Sequence, residues 1–121
     1  MKKTYQIERE ITVMGGETKT INLQLKENYQ KCIGFFLTPD KDGTDFSKLT
    51  VGLNIAQQEI LPRSADAALF ALTNYIGRAD ATYDFSEENI PARSSDVQLI
   101  FENRETKGYQ RFNVYFILSN E

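Results

Sequence analysis

The chain has 121 residues, a net charge of −3 and no histidine. Such a length suits one domain that buries a core without disulfide or metal. The missing histidine excludes Ser-His-Asp and Cys-His nucleophile systems and the His-rich metal sites of cupin-type oxygenases.

Thr4 to Met14 reads as a strand, with Tyr5, Ile7, Arg9, Ile11 and Val13 on one face. Gly15-Gly16 supplies the free backbone of a tight turn. Thr18 to Lys26 follows as a second strand, presenting Ile21, Leu23 and Leu25 together. Glu27-Asn28 signals a turn. Gln30 to Thr38 is a third strand, with Ile33, Phe35 and Leu37 opposed to Cys32 and Phe36. Apolar side chains on both faces mark a central or covered strand.

Pro39 to Ser47 is a loop. Leu49 to Ile55 is a fourth strand, with Leu49, Val51, Leu53 and Ile55 alternating. Gln57 to Leu61 is extended and stops at Pro62, which restricts its predecessor. Ser64 to Asn74 reads as a short helix near residues 65–73, N-capped by Ser64 and begun with Asp66. A strand through Leu69-Phe70-Ala71-Leu72 is the alternative. Arg78 to Phe85 is a strand through Ala81, Tyr83 and Phe85, and Ser86 to Ser95 is a polar loop.

The chain closes with two long alternating strands. Asp96 to Asn103 carries Val97, Leu99 and Phe101, and Gln110 to Leu118 carries Phe112, Val114, Phe116 and Leu118. As a hairpin they set Phe101 opposite Phe112 and Glu102 opposite Arg111, with Gly108 closing the turn. In a jelly roll they lie in opposite sheets and meet through the core. Short strands at this regular spacing predict an all-β fold, a two-sheet antiparallel β-sandwich and specifically a jelly roll, in a single domain.

Few residues offer chemistry. Cys32, the lone cysteine, lies in an apolar run and reads as a core thiol. Asp40-Lys41-Asp42-Gly43-Thr44-Asp45 matches a calcium loop only in part and reads as a solvated turn. Asp84, Glu87 and Glu88 do not come from facing elements, as a glycosidase pair requires. No metal, no other cofactor and no catalytic residue is expected. Tyr29, Tyr75, Tyr83 and Tyr109 are candidates for stacking on a sugar. Lys and Arg are scattered, so direct nucleic-acid binding is not expected. No run is long enough to span a bilayer, and no apolar stretch after Met1-Lys2-Lys3 suggests a leader.

Ile60-Leu61-Pro62 closing a central strand, and Arg111 to Leu118 ending the chain, resemble small single jelly-roll virion proteins. The type is the penton or minor capsid protein of tailless bacteriophages. That resemblance implies a structural subunit around a symmetry axis, made in a host cytoplasm and carried in the virion, with other particle proteins as partners. Self-association would use an apolar outer face: Tyr115 and Ile117 on the last strand, Ile100 on the neighbouring segment and Phe36 on the third. Alternatively, Leu69, Phe70 and Leu72 of the segment from Leu61 to Ile76 fold over that face. A carbohydrate- or cell-surface-binding module is the other functional reading.

Overall fold

A computed structural model describes residues 3–40, 46–72 and 81–120. Its strands are β1 (Lys3–Met14), β2 (Thr18–Gln24), β3 (Lys31–Pro39), β4 (Leu49–Ile55), β5 (Gln58–Asp66), β6 (Tyr83–Asp84), β7 (Asp96–Asn103) and β8 (Tyr109–Ser119). They form two four-stranded antiparallel sheets, ordered β1-β8-β3-β6 and β2-β7-β4-β5. Strands equally far from the two ends of this series pair with each other: β1 with β8, β2 with β7, β3 with β6, β4 with β5. This nested pairing wound into two sheets is the jelly roll.

The closing strands therefore lie in opposite sheets. Phe101 and Phe112 do meet, but across the core, edge to face at 4.8 Å between ring centroids. The Glu102–Arg111 pair of the hairpin reading does not form. Glu102 lies 4.0 Å from Arg104, and Arg111 donates from Nε to Thr12 Oγ1 at 3.1 Å. Gly108, at φ 77°, sits in the arch between the sheets, where its carbonyl accepts from Gly15 N–H at 2.8 Å. Glycine adopts that left-handed conformation without steric cost.

The core is the inner face of both sheets. Phe35, Phe101, Phe112 and Phe116 are fully buried there with Leu49, Leu53, Ile55, Leu99 and Leu118. Each such side chain contributes roughly 1.5–3 kcal/mol relative to exposure. Where β1 and β2 leave the sandwich open, side chains bridge the sheets. Gln6 Nε2 donates to the Gln24 carbonyl at 2.9 Å, and Gln6 Oε1 accepts from Lys26 N–H at 2.8 Å. Asn103 Nδ2 donates to the Val13 carbonyl at 3.1 Å.

The segment after Pro62 differs from the expected helix. β5 runs through Pro62 and Ser64 to Asp66, pairing Ala65 with Val51 and Asp66 with Thr50. Only a single 3-10 turn, Ala67–Phe70, follows, and its N-cap Asp66 makes no side-chain capping bond. Proline is tolerated because β5 is an edge strand whose register is irregular between Leu61 and Ala65. Of the predicted strand from Arg78 to Phe85, the described residues keep Tyr83–Asp84 as β6, while residues 78–80 lie outside them.

Candidate functional site

β1 cannot present all its apolar residues on one face, because it is bulged. Its register against β8 shifts between Glu8 and Ile11, and Glu10 adopts φ 56°. One extra residue in a strand reverses the alternation beyond it. Ile11 and Val13 consequently enter the core, while Tyr5 and Ile7, opposite Ile117 and Tyr115, are on the outer face. The Asn113 side chain holds the bulge. Its Oδ1 accepts from Glu10 N–H at 2.9 Å and its Nδ2 donates to Thr38 Oγ1 at 3.2 Å.

β3 behaves in the same way. Its register shifts between Cys32 and Gly34, so Cys32 joins Phe35 and Leu37 in the core instead of sharing Phe36's face. Phe36, opposite Tyr115, is outside. Its ring stacks on Tyr115 at 4.8 Å, and Tyr5 stands edge-on to both at 6.1 Å. The outer face of this sheet is thus an aromatic and aliphatic surface. Tyr5, Ile7 and Tyr115 are half-buried, whereas Phe36 and Ile117 are only 3% and 8% exposed.

Three of the expected interface residues, Phe36, Tyr115 and Ile117, come together here; Ile100 does not. It projects from β7 on the outer face of the opposite sheet, beside Thr20 and Gly52. The expectation placed it with Tyr115 because the two closing strands read as neighbours in sequence. The jelly roll puts a whole core between them. Tyr5 and Ile7 were missed for the complementary reason: the bulge at Glu10 carries no glycine to announce it. Of the residues of the alternative cover, Leu69 is 63% exposed, Phe70 packs against Phe35 and Tyr83, Leu72 N–H donates to the Leu37 carbonyl at 2.7 Å beside β3, and residues 73–76 lie outside the described residues.

The outer face of the β2-β7-β4-β5 sheet is mainly polar, with Ile100 as an apolar exception. Asn22 is paired with Gln98, and Gln98 with Asn54, so three amides lie in a row across adjacent strands. They line a groove of about 570 Å³ with Gln24, Gln57, Glu59 and Asp96, over the backbone of Leu23 and Val97. Within it Asn54 Nδ2 donates to Gln98 Oε1 at 3.3 Å and Gln24 Nε2 to Asp96 Oδ1 at 3.1 Å. The alternation of polar residues on each strand was visible in the sequence; the pairing that aligns them was not.

The remaining candidates are structural. Asp84, Glu87 and Glu88 border a shallow hollow of about 280 Å³. Asp84 Oδ1 accepts from Ser86 N–H at 2.9 Å, and this bond holds its carboxyl below the ordinary aspartate range. It stays ionised and fixes a turn. Cys32 is 1% exposed, and burial pushes its thiol up to about 12, far from the thiolate a nucleophile needs. Among the described residues no group of His, Cys, Asp or Glu is arranged to hold a metal ion, although residues 41–45 of the acidic loop lie outside them. Of the tyrosines proposed for stacking, Tyr109 projects into solvent at 46% exposure, Tyr83 packs against Phe70 and Phe85, Tyr29 packs on the core, and Tyr75 is outside the described residues. No described helix is long and apolar enough to cross a membrane.

No family model, curated protein or solved structure matches this chain.

Proposed function

We propose that the chain is a structural subunit that self-associates into a symmetric assembly, of which a capsid vertex or minor capsid protein is the specific form. The contrast between the two outer sheet faces carries this reading. One is a row of polar side chains; the other presents Tyr5, Ile7 and Tyr115, half-exposed, around Phe36 and Ile117. An ordinary sandwich is polar on both outer faces. Phe36 and Ile117 are already covered, so the reading rests on the half-exposed Tyr5, Ile7 and Tyr115, grouped on one sheet only, as the rim of a subunit contact. The aromatic rings give it large contact area with few rotatable bonds, which favours interfaces.

Ile7 tests this best, because it is half-exposed and lies beside the stacked rings instead of within them. Light scattering after gel filtration should show an oligomer for the wild type at high micromolar concentration. Ile7→Glu and Tyr115→Glu should give a folded monomer with unchanged far-UV circular dichroism. Ile117→Glu, at a buried position, should unfold instead. A wild type that stays monomeric, alone and mixed with the other proteins of its particle, refutes the assembly reading.

A further inference from the structure

We propose that the groove on the outer face of the β2-β7-β4-β5 sheet binds a neutral saccharide, independently of any self-association through the other sheet. Asn22, Gln98 and Asn54 sit at successive strands in one register. Neighbouring strands are about 4.8 Å apart, so these amides form a ladder spaced on the scale of a sugar ring. Each amide both donates and accepts hydrogen bonds, as does each hydroxyl of a sugar. Asn22 and Gln57 have no side-chain partner among the described residues, which leaves their donors and acceptors to a ligand.

Charge narrows the ligand class. The groove is lined by Glu59 and Asp96 and by no Lys or Arg. Carboxylates accept from sugar hydroxyls but repel phosphate, sulfate and uronate groups. A nucleic acid or an acidic glycan is therefore disfavoured. The volume of about 570 Å³ falls within the usual range for small-ligand clefts.

A second feature points to the same place. The β4–β5 hairpin turns through Ala56 and Gln57, both at positive φ, 51° and 65°. Such two-residue turns favour Asn-Gly, and each residue forced into this region costs on the order of 1 kcal/mol. The Asp96 backbone carbonyl pins the turn by accepting from Ala56 N–H at 2.9 Å. The result fixes Gln57 at the rim of the groove. A strained residue kept where glycine would be easier is expected where its side chain is used.

The test is a two-dimensional NMR titration of the full chain with neutral oligosaccharides of glucose, galactose, mannose and N-acetylglucosamine, and with sulfated and uronate-containing ones. At least one neutral sugar should shift the side-chain amide signals of Asn22, Asn54 and Gln98. Asn54→Ala combined with Gln98→Ala should weaken it at least tenfold, and Ile7→Glu on the far sheet should leave it unchanged. Gln57→Gly relieves the strained φ, so it should raise the melting temperature while weakening the sugar. The proposal is overturned if no neutral sugar moves those amides at millimolar concentration, if acidic glycans bind better, or if affinity survives both the double variant and Gln57→Gly.

Discussion

Phe36→Ala is the most informative perturbation of the aromatic face. Phe36 lies outside the sandwich core yet is only 3% exposed, so its truncation should cost as much as a core phenylalanine. Such truncations cost about 3–5 kcal/mol. Part of this is specific to the rings: Phe36 stacks on Tyr115 at 4.8 Å and meets Tyr5 edge-on at 6.1 Å. Aromatic pairs contribute about 0.5–1.5 kcal/mol beyond area. A double-mutant cycle of Phe36→Ala with Tyr115→Ala should therefore show a coupling of about 1 kcal/mol. With a urea m-value near 1.5 kcal/mol/M, a loss of about 3 kcal/mol lowers the midpoint by about 2 M. Unfolding followed by circular dichroism at two protein concentrations separates intramolecular cover from a contact between copies, because only the latter makes stability concentration-dependent. A loss below about 1 kcal/mol without coupling would show that Phe36 is not packed as the register implies.

Other positions give sharper local tests. Cys32 should react slowly with a disulfide reagent in the native protein and fast in urea; its folded thiol titrates near 12 against an ordinary 9, so the unfolded chain loses its proton first and stability should fall from pH 9 towards 12. Comparing that decline with Cys32→Ala isolates the thiol, and an identical decline in the variant argues against it. Thr50 is 2% exposed and its hydroxyl has no partner among the described residues, so the near-isosteric Thr50→Val should stabilise the fold by about 1 kcal/mol; a loss of stability would mean that the hydroxyl is satisfied. Gly34→Ala would drive a methyl to 2.9 Å from the Tyr83 carbonyl, so it should part β6 from β3 and lower the melting temperature by several degrees, whereas a neutral effect would place β6 elsewhere.

Where a strand is uninterrupted, its sequence alone determined which residues are inside. Leu49, Val51, Leu53 and Ile55 all face the core, as do Val97, Leu99 and Phe101, and Phe112, Val114, Phe116 and Leu118. Period-two alternation is a local property of extended backbone, so it needs no knowledge of partners. Tertiary structure decided everything that depends on pairing. The bulge at Glu10 rests on Asn113, 103 residues away, and it sends Tyr5 and Ile7 to one face and Ile11 and Val13 to the other. Ser64 to Asp66 had helical signals, but bonding to β4 outweighs a weak local propensity. Whether β7 and β8 form a hairpin or face each other through the core turns on which partners each finds, β2 and β4 for one, β1 and β3 for the other. Local sequence cannot encode that choice, because the ladder bonds and buried rings that favour it come from segments far along the chain.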